Sequence, residues 1–234
     1  MKPRVYLDAD LHGGGEIHLG DAPAHHLARV LRLREGDALT VFNGRGGEWD
    51  AEFIGRRRVR LRSFSALERE SPLHLTLLQG VSSGERMDFT IQKAVELGVA
   101  SIQPVLTKRS VVRLEGARAS ARVAHWRKIA IAACEQCGRN RIPEVRPLLD
   151  FASYAAEGEG TRLVLSAQGR SIREVEIAAK AILAAGPEGG FAPEEHTALE
   201  RAGFRSASLG PRVLRTETAA LAALAALNAL RGDF

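Results

Sequence analysis

The sequence predicts an α/β chain in two parts: a small β-barrel with a helical cap over residues 1–70, then a domain built on a parallel sheet over 71–234. Three observations predict it. Short apolar runs set between Gly-rich turns fill the first part. From Leu73 onward, strand and helix patterns alternate, which argues for a parallel sheet. Between them Leu67-Glu68-Arg69-Glu70-Ser71-Pro72 breaks into charge and proline, as domain boundaries do.

In the first part, Gly13-Gly14-Gly15 and Asn43-Gly44-Arg45-Gly46-Gly47 are turn signals, and the second joins residues 38–42 to residues 48–54 as a hairpin. The helix Pro23-Ala24-His25-His26-Leu27-Ala28-Arg29-Val30-Leu31-Arg32 places Leu27, Val30 and Leu31 at helical spacing, so one face can bury. Arg56-Arg57-Arg58-Val59-Arg60-Leu61-Arg62 ends in an alternation that predicts an edge strand with arginines facing solvent.

In the second part, residues 73–79 read as a strand. Ser82 with Glu85 offers a capping box for a helix over 86–97, closed by Gly98. Residues 102–106 form the next strand, and a helix over 120–136 buries Val123, Trp126, Ile129, Ala130 and Ala133. Residues 163–166 and 181–185 are short apolar strands. Pro193 with Glu194 and Glu195 marks a first helical turn, Gly203 its end, and residues 206–209 the last strand. The final helix, 216–230, sets Leu221, Leu224, Leu227 and Leu230 among alanines. Apolar on most faces, it is expected to serve both a core and a subunit interface.

With 234 residues, 45% hydrophobic and 26% charged, the chain is neither disordered nor fibrous. A net charge of +5 permits a nucleic-acid partner without demanding one. The distribution says more. Residues 108–146 carry Lys108, Arg109, Arg113, Arg118, Arg122, Arg127, Lys128, Arg139, Arg141 and Arg146 against Glu115, Glu135 and Glu144, a surface that is either solvated or turned to phosphates. The longest apolar run, 219–227, falls well short of the roughly 18 residues of a membrane span. Met1-Lys2-Pro3-Arg4-Val5-Tyr6-Leu7-Asp8 lacks the apolar core of a secretory signal. With two cysteines and no disulfide framework, a cytoplasmic protein is expected. Cys134-Glu135-Gln136-Cys137 has redox spacing, but a redox motif needs a strand before it and a helix starting at the first Cys. Here a helical pattern precedes it and Gly138 ends it. Without a second Cys pair or a nearby His, no metal is expected either.

The chemistry sits in the last quarter. Gly186-Pro187-Glu188-Gly189-Gly190-Phe191 follows one buried strand, and Leu209-Gly210-Pro211-Arg212-Val213-Leu214-Arg215-Thr216-Glu217-Thr218-Ala219 follows the next. Two such loops at neighbouring strand ends can wall a ligand pocket. Neither is a G-x-G-x-x-G or Walker pattern. The pair resembles the signature of the RsmE family, SPOUT-class methyltransferases that use S-adenosylmethionine on ribosomal RNA. Further matches are His25-His26-Leu27-Ala28-Arg29-Val30-Leu31-Arg32; Gln92-Lys93-Ala94-Val95-Glu96-Leu97-Gly98-Val99 with Pro104 and Thr107-Lys108-Arg109-Ser110; and Ala133-Cys134-Glu135-Gln136-Cys137-Gly138-Arg139 with Pro143. Where this chain has Cys137, the family more often has serine.

The resemblance implies a PUA-like β-barrel followed by a SPOUT α/β domain with a carboxyl-terminal trefoil knot. It also implies a homodimer with each cofactor site beside the subunit interface, and methylation of uridine N3 in 16S ribosomal RNA. Cofactor-binding residues implied are Leu165; Gly186, Pro187, Glu188, Gly189 and Gly190; and Leu209, Gly210, Arg212, Val213, Leu214, Thr216 and Ala219. RNA contacts are expected from Arg29, Arg32, Arg57, Lys108 and Arg109. Loss of the uridine N3 proton leaves charge on O2 and O4. Arg139 from across the dimer, or else Arg215, would stabilise it, and Glu217, ahead of Glu188, would take the proton. Other readings in view are methylation of a different RNA atom, a non-catalytic RNA-binding factor, and a redox enzyme built on Cys134 and Cys137.

Overall fold

A computed structural model describes residues 2–13, 15–156 and 158–234; Met1, Gly14 and Glu157 lie outside the described residues, and with Gly14 part of the first expected turn. The chain divides into two compact units. One comprises the residues up to Glu70 together with Cys134–Ile142, the other Ser71–Ala133 together with Pro143–Phe234.

The first unit contains β1 (Arg4–Tyr6), β2 (Glu16–His18), α1 (Asp21–His25) continued as a π-helix over His26–Val30, β3 (Ala38–Phe42), β4 (Glu48–Phe53) and β5 (Arg58–Ser65). The sheet order is β1-β3-β4-β5-β2, with β1 parallel to β3 and the other pairs antiparallel. Alternation along the strands turns Leu39, Val41, Ala51, Phe53, Val59 and Leu61 inward, where they pack with Val5, Leu7 and Leu27.

Two sequence expectations change here. β5 is not an edge strand: β2 pairs along it, and Glu16 takes both Arg58 and Arg60 while Glu52 takes Arg62. The expected helical face also breaks. Leu31 N–H donates to His26 O at 2.9 Å, an i→i−5 bond that widens the turn. Leu27 stays fully buried while Val30 turns outward to 59% exposure.

The segment Cys134–Ile142 is tied to the rest of this unit by polar contacts. Arg4 pairs with Glu48 and donates to Asn140 Oδ1 at 2.7 Å and to Arg139 O at 3.2 Å. Asn140 is fully buried and donates to Leu67 O at 2.6 Å. Tyr6 N–H donates to Glu135 Oε1 at 2.9 Å, and burial pushes the Glu135 carboxyl above its ordinary range.

The second unit contains β6 (His74–Gly80), α2 (Gly84–Glu96), β7 (Ser101–Leu106), α3 (Gly116–Cys137, whose last turn belongs to the first unit), β8 (Glu144–Val145), β9 (Leu149–Asp150), β10 (Thr161–Ser171), β11 (Lys180–Ala185), α4 (Pro193–Arg201), β12 (Arg205–Ser208) and α5 (Thr216–Arg231). The sheet runs β12-β10-β11-β6-β7-β8, with β9 also on β7, and every pair is parallel. Strands covered on both faces read as continuous apolar runs, and Leu75, Leu77 and Leu78 are all fully buried. α5 buries Ala220, Ala223, Leu224, Leu227 and Asn228, and Asn228 donates to Leu97 O at 2.6 Å. Its burial is a stripe: Leu221 is half-buried and Leu230 is 42% exposed.

Candidate active site

Strands β10, β11 and β12 are mutually parallel neighbours, so their carboxyl ends open on one side of the sheet, where open α/β sheets bind ligands. There the β10–β12 register shifts between Leu165 and Arg170. β11 runs into residues 186–190, which fold back on themselves: Gly190 N–H donates to Pro187 O at 2.9 Å. A Cβ on Gly186 would lie 2.8 Å from Gly190 C and Cα, and Gly190 has φ +66°, so both positions call for glycine.

Between this loop and the one leading from β12 into α5 lies a hollow of about 450 Å³. A smaller hollow of about 150 Å³ shares Leu165, Val213, Leu214 and Ala219 with it. Every residue implied above as cofactor-binding lines one or both of these hollows. Beneath them, Thr216 Oγ1 donates to Gly186 O at 2.5 Å, and fully buried Gln79 donates Nε2 to Thr216 Oγ1 at 3.2 Å. These bonds join the glycine loop, the start of α5 and the end of β6.

Glu188 is held rather than free. Its Oε1 accepts from Ser83 N–H at 2.9 Å, Ser83 Oγ at 2.8 Å and Arg86 NH1 at 3.1 Å. The expected capping box is therefore not what starts α2: the helix begins at Gly84 with Ser83 as N-cap, and the acceptor comes from the glycine loop. Burial pushes the Glu188 carboxyl up, but the Ser83, Glu188 backbone and Arg86 donors outweigh it and hold it below the usual range.

Glu217 lies in the first turn of α5, and its Oε2 is buried with no hydrogen-bond partner among the described residues. Arg215 lines the same hollow, is exposed, and pairs with no carboxylate among the described residues. Two arginines, Arg86 and Arg215, thus face two glutamates, Glu188 and Glu217. That balance suits a ligand carrying both signs of charge better than a polyphosphate.

The other expected site residues line neither hollow. Arg139 belongs to the first unit, where it is 4% exposed and pairs with Glu70. Arg29, Arg32 and Arg57 are exposed on the first unit. Arg109 donates to Gly189 O at 3.0 Å, and Lys108 pairs with Glu194. Cys134 and Cys137 close α3, and burial pushes the Cys134 thiol up to about 12. Among the described residues no His, Cys, Asp and Glu group is placed to hold a metal, and no helix is long and apolar enough to cross a membrane. Sequence reasoning missed Gln79, Arg86, Ser166 and Ala167. The position of Gln79 at a strand's carboxyl end was the available signal.

Residues 69–228 match the family model of an RNA methyltransferase domain, and residues 19–62 that of an RNA methyltransferase PUA domain. The ribosomal RNA small subunit methyltransferase E of Buchnera aphidicola subsp. Acyrthosiphon pisum is 32% identical over 240 residues, covering 99% of this chain and 95% of that protein. Among solved structures, ribosomal RNA small subunit methyltransferase E from Neisseria gonorrhoeae, bound to S-adenosyl methionine, is 40% identical with a TM-score of 0.92 over 100% of both chains. A Legionella pneumophila protein in complex with the bound cofactor SAM is 38% identical with a TM-score of 0.95, again over 100% of both. Matched along its whole length in this way, the chain belongs to the ribosomal RNA small subunit methyltransferase E (RsmE) family of RNA methyltransferases.

Proposed function

We propose that the protein transfers a methyl group from S-adenosylmethionine to N3 of one uridine in 16S ribosomal RNA. The observation that carries the reading is the two-loop cleft, in which Gly186–Gly190 and Leu209–Ala219 face each other beside Glu217, whose buried Oε2 has no hydrogen-bond partner among the described residues. The residues present fit the cofactor: uncharged backbone for its adenine and ribose, and mixed charge for its sulfonium and amino-acid end. Its size falls within the roughly 300–1,000 Å³ of small-molecule sites. When bound, S-adenosylmethionine supplies an electrophilic methyl on its sulfonium.

The chain's own work is alignment and charge. Backbone groups of 186–190 and 209–214 hold and orient the cofactor, with Leu165 and Ala219 as apolar walls. The Glu217 carboxylate, which lines the cleft, takes the N3 proton. Arg215, which lines the cleft, stays cationic and draws the imide charge toward O2 or O4. Arg139, supplied by a second copy in a homodimer, is the alternative guanidinium, and it would first have to leave Glu70. N3 lies on the Watson–Crick edge, so the uridine must be unpaired. Arg29, Arg32, Arg57, Lys108 and Arg109 hold the flanking RNA of the small subunit. The finer architecture of the proposal is a PUA-like barrel formed by β1–β5, a SPOUT domain knotted as a trefoil near its carboxyl end, and a cytoplasmic homodimer.

Isothermal titration with S-adenosylmethionine and then S-adenosylhomocysteine tests the cleft. Saturable binding near one site per chain supports the reading. No binding of either would leave a non-catalytic RNA-binding factor as the better account.

A further inference from the structure

We propose that the β4–β5 turn, Gly55-Arg56-Arg57, is a backbone-strained grip for an RNA phosphate, and that the arginines of β5 beside it are not. The inference rests on the RNA-substrate reading above. Gly55, Arg56 and Arg57 have φ of +70°, +45° and +62°. That left-handed backbone is disfavoured for L side chains, and hairpin turns that use it are filled by Gly, Asn or Asp. Here two successive arginines occupy it. The remaining non-glycine residue with positive φ among the described residues is Arg32, at +55°, again an exposed arginine of this unit.

Packing does not account for the arginines. The Arg56 side chain is exposed and makes no hydrogen bond or ion pair with any described residue. Arg57 reaches Leu19 O at 3.3 Å and Asp21 Oδ1 at 2.6 Å, but the ion-paired side chains are 54% and 95% exposed, where such a pair adds little stability. Strain that persists without structural return marks function.

The neighbouring arginines differ. Arg58 and Arg60 share Glu16 and Arg62 takes Glu52, so their charge is already answered inside the sheet. Backbone hydrogen bonds pin the turn: Arg58 N–H donates to Gly55 O at 2.9 Å, Ile54 N–H to Arg58 O at 3.1 Å, and Leu19 N–H to Arg57 O at 2.8 Å. Two planar guanidinium forks on a fixed corner match phosphate diester oxygens, which they can engage bidentately.

The test uses the full chain, a fluorescein-labelled fragment of 16S ribosomal RNA and a salt series. Arg56→Gly with Arg57→Gly relieves the strain and removes the charge. The expected result is a melting temperature about 2–4 °C higher for each kcal/mol of strain relieved, together with RNA affinity roughly tenfold lower. The slope of log affinity against log salt falls by about 0.7 for each lost contact. Arg60→Gln, the control, keeps wild-type affinity and slope, and S-adenosylmethionine binding holds throughout. Glycine variants with wild-type RNA affinity and slope overturn the proposal alone, as does an Arg60→Gln loss of equal size. A wild-type chain that binds no RNA overturns the RNA reading, and this proposal with it.

Discussion

Replacing Glu188 tests how the glycine loop is held. Its Oε1 accepts from Ser83 N–H at 2.9 Å, Ser83 Oγ at 2.8 Å and Arg86 NH1 at 3.1 Å, with the Glu188 side chain 21% exposed. Glu188→Gln keeps the shape and an acceptor but removes the charge. A charge-assisted bond contributes about 1.5–3 kcal/mol net against about 0.5–1.5 for a neutral one, so the two Ser83 bonds lose about 1 kcal/mol each. The Arg86 contact, with its guanidinium side chain 42% exposed, adds less than about 1 kcal/mol after solvent screening. The sum is about 2 kcal/mol, and if it falls on the ordering of the loop, S-adenosylmethionine binds about 30-fold more weakly. Glu188→Ala also strips the acceptor from the start of α2, adding about 1 kcal/mol. The pH dependence has a fixed sign. Because the folded carboxyl is held below its ordinary range, its contribution is complete above the unfolded value near 4 and is lost as pH falls through the lower folded value. Wild type should therefore lose more melting temperature below about pH 4 than the Gln variant does. Titration calorimetry at neutral pH and scanning calorimetry across acid pH measure both effects. A Gln variant that binds the cofactor as tightly as wild type, with an unmoved acid profile, would refute the reasoning.

Gly186→Ala should lower cofactor affinity by about 5- to 150-fold, because the new Cβ meets Gly190 backbone atoms at 2.8 Å and relieving such overpacking costs about 1–3 kcal/mol; titration calorimetry checks it. Glu217→Gln should cut kcat by about 10²–10⁴-fold; single-turnover assays at saturating cofactor check it. If Arg139 of a second copy, rather than Arg215, supplies the guanidinium, Arg139→Ala should abolish turnover with cofactor affinity little changed. Because it also removes the ion-pair partner of half-buried Glu70, Glu70→Ala of matched melting temperature is the control. Turnover that falls equally in both variants assigns Arg139 to structure alone.

Much of the fold was legible because its signals are local. The turn Asn43–Gly47 announces the β3–β4 hairpin, and Pro193 with Glu194 and Glu195 announces α4. What was not legible depends on partners distant in sequence. Nothing in Arg58–Arg62 shows that Glu16–His18 pairs along it, and the three-residue β2 is too short to carry a period. The switch from α to π at His26 comes from bonds that no residue type there dictates. At the candidate site the two loops were readable from their glycines and their place after strands. The three donors to Glu188, the second candidate proton acceptor after Glu217, could not be read because they come from residues 83 and 86. Arg139 showed charge in the sequence but gave no sign of Glu70, the half-buried partner that holds it.

The most direct measurement is nucleoside mass spectrometry of 16S ribosomal RNA, lacking the modification, after incubation with the protein and S-adenosylmethionine. The account predicts one 3-methyluridine per RNA, absent with Glu217→Gln at equal time. A methyl group on a ribose 2′-hydroxyl or another base atom, or no methyl group despite saturated cofactor, would contradict it.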